Sequence, residues 1–277
     1  MTPDPSIAQP LAPAEAVRTP LSLRSEAGVS IQAQVVDSGA GPRAVFLHGL
    51  VGLNEHWELV VDRVQGEMRC TRLELPLLSL NGSDCSIQGV EALTVQYLDE
   101  HVSEPVVLVG NSFGGHVALR IALRRPDLVR GLVLAGSSGL FERTLVKGAP
   151  IHPSREWVAE KIAELFYDPS KMMDDDIDRA HAVLTTRQGK RAMVRLSKTA
   201  RRNNLADRMN EIEQPTMLIW GRQDVVTPPS AAQGFLDLLP NAEIVWVEGC
   251  GHTPMLEAPD VFAESLIDFM GRLPSGG

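Results

Sequence analysis

Short apolar runs alternate with amphipathic stretches along most of this chain. Apolar residues, many of them β-branched, fill residues 43–47, 106–109, 131–136 and 216–220, and stretches with helical spacing lie between them. Continuous apolar runs of this length predict buried strands, and their alternation with helices predicts an α/β protein with a parallel sheet covered on both faces. Ligands bind such sheets at the carboxyl ends of the strands.

The same pattern assigns the other elements. Further strands are predicted at residues 21–24, 29–36, 68–75 and 243–247, and the first two of these turn at residues 27–28. The predicted helices are residues 55–64, 87–101, 118–123, 157–166, 174–184, 190–205, 230–239 and 259–270. No internal repeat accompanies this order.

The alternation of strands and helices stops between residues 140 and 213, where three predicted helices follow one another. We interpret this stretch as a helical cap inserted into a core made of residues 21–139 and 214–277. Residues 1–20 hold five prolines and little that could pack, so we expect them to form a flexible leader outside the fold.

One junction between a predicted strand and a predicted helix has a distinctive sequence. Residues 110–114 read Gly-Asn-Ser-Phe-Gly, and the Gly-x-Ser-x-Gly pattern forces a turn that leaves its serine strained and projecting from the top of the sheet. Glycines and serines also occur in ordinary turns. The strand before this turn and the helix after it favour Ser112 as a nucleophile.

A serine hydroxyl is a weak nucleophile that needs a base and an acid to orient the base. His252 follows the last predicted strand and Asp224 follows the strand before it, so both should share a rim with Ser112. The order Ser112, Asp224, His252 is the order that triads take on this kind of sheet. Asp224 could instead cap the next helix. However, residues 137–139, after the preceding strand, read Ser-Ser-Gly and offer no rival carboxylate.

Together these motifs resemble the α/β-hydrolase fold family over residues 21–273. The resemblance implies a mostly parallel eight-stranded sheet and a triad in which Ser112 is the nucleophile, His252 the base and Asp224 the acid. It also implies an oxyanion hole formed by the backbone amides of Leu50 and Phe113. Each such donor stabilises the anionic tetrahedral intermediate by about 3 to 4 kcal/mol.

Other residues match the family without an implied chemical step. His48 precedes the glycine of the oxyanion loop, where the family's histidine usually holds the loop. Trp57 matches a tryptophan commonly found after that loop, where it packs the loop or contacts the substrate. His116, on the helix after Ser112, is most simply a polar packing residue.

The residue at the turn excludes some reactions of this fold. Haloalkane dehalogenases and soluble epoxide hydrolases carry an aspartate where this chain has Ser112. The sequence shows no metal-ligand cluster and no glycine-rich dinucleotide fingerprint, so we expect neither a metal nor a cofactor. We therefore predict a serine hydrolase, most simply a carboxylesterase that acts on small or medium acyl esters.

Two alternatives stay open. Residues 110–115 are similar to the elbow of bacterial hydrolases that cleave carbon–carbon bonds in ring-opened aromatic diketones, the meta-cleavage products. Those enzymes usually carry a tryptophan straight after the catalytic histidine, where this chain has Thr253. The second alternative, from another class, is a hydrolase-fold receptor or signalling partner with little turnover.

Basic residues recur every three or four positions in the last helix of the predicted cap and would share one face. They are Arg187, Arg191, Arg195, Lys198 and Arg202. We interpret this face as a solvated cationic surface. The alternative is that Arg191 or Arg195 points into the cleft and binds a substrate carboxylate.

Composition and charge limit the partners and the cellular location that we expect for the protein. The net charge of -9, from 26 basic and 35 acidic residues, argues against a nucleic-acid partner. No apolar run approaches the roughly 20 residues that span a bilayer, and no signal peptide is evident. The three cysteines form no metal or disulfide pattern. We expect a cytoplasmic enzyme with a small-molecule substrate, and the sequence gives no indication of its oligomeric state.

Overall fold

A computed structural model of the protein describes residues 16–141 and 152–274. Its eight strands form one sheet in the order β1-β2-β4-β3-β5-β6-β7-β8. The strands are β1 Val17–Arg24, β2 Ser30–Ser38, β3 Arg43–Leu47, β4 Arg69–Glu74, β5 Val106–Asn111, β6 Val129–Ala135, β7 Thr216–Gly221 and β8 Ala242–Val247. Strand β2 pairs antiparallel with both β1 and β4, and every other pair is parallel. The predicted mostly parallel, eight-stranded sheet is confirmed.

Helices cover both faces of this sheet. The α-helices of the described residues are α1 Glu58–Val64, α2 Ile87–His101, α3 Phe113–Arg124, α4 Arg155–Ala163, α5 Asp174–Thr185, α6 Arg187–Arg202, α7 Pro229–Leu238, α8 Pro254–Glu257 and α9 Pro259–Arg272. Residues of α1 and α9 pack in one apolar core, and residues of α2, α3 and α7 pack in the other. Strand β5 serves both cores, because Val106 and Leu108 face one and Val107 and Val109 face the other.

Register brings several strand ends to one edge. Leu47 at the end of β3 lies opposite Gly110, and Asn111 at the end of β5 lies opposite Ala135. Further along, Gly221 at the end of β7 lies opposite Val247. The loops after these strands therefore meet at a single rim, as the parallel arrangement predicts.

Some element bounds differ from the prediction. Strand β1 begins at Val17, so residues 17–20, which we expected in the leader, belong to the sheet. We assigned these residues to the leader because of Pro20. Among the described strands, however, β1 pairs only with β2, and an edge strand tolerates proline. Residues 1–15 of the predicted leader lie outside the described residues. Helix α8 was not predicted, because its four residues are too short to show a period.

Three helices, α4 to α6, lie between β6 and β7, and the described residues of this stretch contain no strand. Residues 142–151 lie outside the described part. Helix α6 begins at residue 187 instead of the predicted 190, because the Thr186 hydroxyl caps it by accepting the Gly189 N–H at 2.9 Å. Within residues 16–141 and 152–274, no helix is long and apolar enough to cross a membrane.

His116 is a fully buried titratable group on α3. Burial, reinforced by the nearby positive charge of Arg120, lowers the pKa of His116 from 6.5 to about 4. It lies outside the pocket described below, in agreement with a packing role. Because the folded state holds this imidazole neutral, its protonation in the unfolded chain favours unfolding as the pH falls from 6.5 towards 4.

We therefore predict that His116→Leu weakens the acid sensitivity of the fold. Between pH 7 and pH 5 the native protein should lose about 1 to 2 kcal/mol more unfolding free energy than the variant, since this linkage is removed. Reversible denaturant unfolding at both pH values measures the difference. Equal losses in the two proteins would contradict the assignment.

Candidate active site

The strand-to-helix turn after β5 holds Ser112 in an unusual backbone conformation. Among the described residues, Ser112 is the only non-glycine residue with a positive φ, at 53°. Its N–H donates to the Ala135 carbonyl at 3.0 Å, and its own carbonyl accepts the Ser138 N–H at 3.1 Å. Hydrogen bonds to the end of β6 and the loop after it thus hold the strained turn in place.

Glycines make this turn possible. A Cβ at Gly110 would lie 2.5 Å from the Gly115 nitrogen, and a Cβ at Gly114 would lie 2.3 Å from the Leu47 carbonyl oxygen. Both distances are too short for any side chain. The predicted need for glycine on either side of the serine therefore has a direct steric cause.

Asp224 and His252 form a buried pair on the same rim. His252 Nδ1 lies 2.8 Å from Asp224 Oδ2, and the two residues are only 4% and 2% exposed. The other carboxylate oxygen of Asp224 accepts the N–H groups of Val226 and Thr227 at 2.8 and 2.9 Å. A carboxylate at Nδ1 holds the imidazole in the tautomer whose Nε2 is free to accept a proton. Asp224 does not cap α7, which has Pro228 at its N-cap position.

Two neighbours of this pair were missed from the sequence. The Thr227 hydroxyl donates to Asp224 Oδ2 at 2.8 Å and lies 3.2 Å from His252 Nδ1. Gly136 has a φ of 51°, and a Cβ there would lie 2.8 Å from His252 Nδ1 and 3.1 Å from Asp224 Oδ2. Residue 136 must be glycine for the pair to fit. The Ser-Ser-Gly run that follows it in the sequence did not indicate this requirement.

Leu50 and Phe113 both line the pocket that Ser112 lines. The hydrogen bonds among the described residues leave both of their backbone N–H groups without an acceptor. The loop that carries Leu50 approaches Ser112 closely, since a Cβ on Gly49 would lie 3.6 Å from Ser112 Cβ. His48 holds this loop, with its Nδ1 2.8 Å from the Gly49 carbonyl oxygen, and burial lowers the pKa of His48.

A cavity of about 200 Å³ contains Ser112 and His252. Its walls come from the core loops and from the helices between β6 and β7, and they are mostly apolar. The apolar lining residues include Leu50, Val51, Phe113, Trp157, Val158, Ile162, Leu165, Phe166, Ala180, Leu184, Met193, Val226, Met255 and Leu256. The hydrogen bonds of the described residues do not include one between the Ser112 hydroxyl and the His252 ring. Such bonds often form only when the substrate is bound.

The three predicted substrate-binding side chains lie elsewhere. Arg191 and Arg195 are exposed and do not line the cavity formed by the described residues, because the buried face of α6 is the opposite one. All five members of the predicted basic face are exposed, in agreement with a solvated surface. Trp57 is fully buried between Phe46 and Phe262, at ring-centroid distances of 5.3 and 5.6 Å, so it packs the core and not a substrate.

Other charged side chains line the cavity instead. Lys161 comes from α4. Arg201 comes from α6 and lies more than one helical turn beyond Arg195. His56 Nε2 lies 3.0 Å from Asp176 Oδ2, which joins the loop before α1 to α5. Burial opposes the ionised form of Asp176, but contacts with His56 and Arg179 hold its pKa below the ordinary value.

The fold and this rim have counterparts in known proteins. Residues 44–265 match the sequence profile of the alpha/beta hydrolase family. This chain belongs to that family. The predicted fold family is thus confirmed, and the match covers the Ser112 turn, Asp224 and His252.

Individual relatives of this alpha/beta hydrolase span most of its length. A pimeloyl-[acyl-carrier protein] methyl ester esterase of Nitrosomonas europaea is 28% identical over 239 residues, which are 81% of this chain and 94% of the relative. A 2-hydroxy-6-oxononadienedioate/2-hydroxy-6-oxononatrienedioate hydrolase of Paraburkholderia phymatum is 33% identical over 270 residues, 89% of this chain and 93% of that protein. The crystal structure of an alpha/beta hydrolase from the metagenome of Mar Chica lagoon sediments, Morocco, has a TM-score of 0.69 at 30% identity and covers 86% of this chain and 94% of that chain. The chain is an enzyme of the hydrolase class.

We predict that Gly136→Ala lowers hydrolysis of p-nitrophenyl esters by roughly a hundredfold, because the added methyl group displaces His252 and Asp224. Gly28→Ala is the matched control: φ at Gly28 is also positive, at 77°, but a Cβ there meets nothing within 4 Å. Both variants carry backbone strain, and only the first should lose turnover out of proportion to stability. Similar turnover in the two variants would show that the close approach at residue 136 has no catalytic importance.

Proposed function

We propose that this alpha/beta hydrolase is a serine carboxylesterase for small or medium acyl esters. The observation that carries the proposal is the buried Asp224–His252 pair, whose histidine lines one cavity together with the strained Ser112 turn. A base held in one tautomer beside a serine on a sharp turn is the arrangement that activates a hydroxyl for acyl transfer.

In the proposed reaction the Ser112 hydroxyl attacks the ester carbonyl while His252 Nε2 accepts its proton. The N–H groups of Leu50 and Phe113 bind the resulting oxyanion. The intermediate collapses, the carbonyl–oxygen bond of the ester breaks, and His252 returns the proton to the departing alcohol. Water then attacks the acyl group on Ser112 while His252 accepts its proton. The bond between the acyl carbon and Ser112 Oγ breaks, His252 returns the proton to Oγ, and the carboxylic acid leaves. Asp224 stabilises the imidazolium in both steps.

The lining of the cavity supports an acyl substrate. Apolar side chains form most of its wall, so a hydrocarbon acyl chain would leave water on binding and gain about 25 cal/mol per Å² of buried apolar surface. We further propose that residues 140–213 act as a cap over the rim. Side chains from α4, α5 and α6 all line the cavity, which supports this assignment.

Carbon–carbon bond hydrolysis of a ring-opened dienoic acid is a second candidate. It is favoured by the 33% identity to the Paraburkholderia phymatum hydrolase and by the basic side chains of Lys161 and Arg201 at the cavity, which could bind a substrate carboxylate. One observation favours the ester: Thr253 stands where those enzymes usually have tryptophan.

Replacing the nucleophile tests the proposal. Ser112→Ala should lower kcat for p-nitrophenyl butyrate by roughly a thousandfold or more, because the hydroxyl that forms the acyl-enzyme is gone. Ser265→Ala, on the far side of the core, is the matched control and should keep native turnover. A folded Ser112→Ala protein with near-native kcat would refute the serine mechanism.

The substrate class needs a separate comparison. The native protein is given a panel of p-nitrophenyl esters and, in parallel, a chromophoric ring-fission dienoic acid whose colour disappears on cleavage. We expect a kcat/KM at least tenfold higher for the best ester. A higher value for the dienoic acid would replace the esterase proposal with the carbon–carbon hydrolase.

A further inference from the structure

The segment that follows α4 leaves the helix at residue 163 and lies directly against the loop that carries His252. We expected the helix to continue to residue 166, but residues 164–167 turn away from the helix axis. The backbone N–H of His252 donates to the Leu165 carbonyl at 2.7 Å. The backbone of the proposed base is therefore hydrogen-bonded to the stretch between β6 and β7.

The approach of these two segments requires glycine on the histidine side. A Cβ on Gly251 would lie 2.6 Å from the Leu165 carbonyl oxygen and 2.8 Å from the Tyr167 nitrogen. These distances are shorter than side-chain contacts allow, so the two backbones are in direct contact. A shift of either segment must therefore displace the other.

The Glu257 carboxylate connects the same two segments. It is buried, with 5% exposure, at the end of α8. One oxygen, Oε1, accepts the N–H groups of Tyr167 and Asp168 at 2.8 and 3.0 Å, and the other, Oε2, accepts the Gly251 N–H at 2.7 Å. A single carboxylate thus satisfies donors on the cap side and on the histidine side, through charge-assisted bonds that are stronger than neutral ones.

Further contacts surround this carboxylate. Lys171 Nζ donates to the Glu257 carbonyl at 2.6 Å, and the Thr253 hydroxyl lies 3.4 Å from Oε2. Burial and the negative charge of Glu257 raise the pKa of the Cys250 thiol, whose sulfur lies 3.8 Å from Oε2. The thiol therefore stays protonated and can act as a further weak donor to the carboxylate.

We propose that Glu257 is a positioning residue that fixes His252 relative to Ser112 by joining the cap segment 165–168 to the histidine loop. The inference rests on the proposed function, in which His252 is the base. Glu257 does not line the cavity formed by the described residues, so it touches no reacting group and acts only through His252. Nothing in the triad motif itself indicates this role.

The consequence is that the base is held from two directions. Asp224 orients the imidazole ring, whereas Leu165 and Glu257 hold the backbone from which the ring projects. A displacement of about 1 Å in a reacting group can cost roughly a hundredfold in rate. Any substrate that shifts the segment after α4 would therefore also shift the base, which couples cap packing to turnover.

Glu257→Gln tests the proposal with little change in volume. Its amide nitrogen cannot accept an N–H, so at least one of the two sides loses its partner. We expect kcat for p-nitrophenyl butyrate to fall roughly tenfold to a hundredfold, while KM changes less than about twofold because the cavity wall is unaltered. Glu248→Gln is the matched control: it makes the same substitution at an exposed residue in the loop after β8, and it should keep native kcat. An unchanged kcat in Glu257→Gln would overturn the proposal.

A double-mutant cycle separates positioning from general damage. The rate at which a fluorophosphonate labels Ser112 is measured in the native protein, Glu257→Gln, His252→Ala and the double variant. If Glu257 acts through His252, its replacement slows labelling in the native background and changes it less than about twofold once His252 is absent. An equal slowing in both backgrounds would assign Glu257 a purely structural role and overturn the proposal.

A second variant covers the case in which Glu257→Gln does not fold. Gly251→Ala leaves the Glu257 side chain unsubstituted and, because the two segments are in direct contact, pushes the Leu165 segment away from the histidine loop. The same cycle with His252→Ala applies. The single variant His252→Ala also keeps the two proposals distinguishable. Native labelling by His252→Ala refutes the proposed function together with this inference, whereas slow labelling with no effect of the residue 257 and 251 variants refutes the inference alone.

Discussion

Close backbone approach at the carboxyl edge of the sheet is the constraint on which the rest of the site depends. The serine turn needs it at Gly110 and Gly114, the Asp224–His252 pair needs it at Gly136, and the histidine loop needs it at Gly251. At each of these positions a Cβ would lie within 3 Å of another atom. Because these segments approach without intervening side chains, backbone geometry sets the positions of the Ser112 turn and of the histidine loop.

Burial and hydrogen bonds then fix the Asp224–His252 pair at this edge of the sheet. Asp224 is almost completely withdrawn from water, yet its carboxylate accepts two backbone N–H groups and one hydroxyl besides facing His252. These hydrogen bonds fix the position of the carboxylate, so it holds the imidazole of His252 in one orientation. The wall of the cavity that Ser112 and His252 line is mostly apolar.

Much of this could be predicted from the sequence, because strands, turns and motif order are local signals. Four continuous apolar runs and four further strand-like segments predicted the eight strands of the sheet. The glycines around Ser112 predicted the turn. The missing parts depend on contacts between distant segments. Gly136 ends a predicted apolar strand and Glu257 lies in a run with no recognisable pattern, and the importance of both follows only from what packs against them. The arginine spacing of α6 predicted one shared face for Arg191 and Arg195 correctly, but spacing alone cannot say which face a neighbouring element covers.

In the proposed mechanism, Ser112 carries the acyl group during turnover. Mixing the protein with excess p-nitrophenyl butyrate, quenching in acid within the first turnovers and mapping peptides by mass spectrometry measures this directly. We predict one butyryl group per chain, on the peptide that contains Ser112, together with a burst of nitrophenol of the same amount when deacylation is the slower step. A butyryl group on another residue, or complete turnover in His252→Ala with no acyl-enzyme at any time, would contradict it.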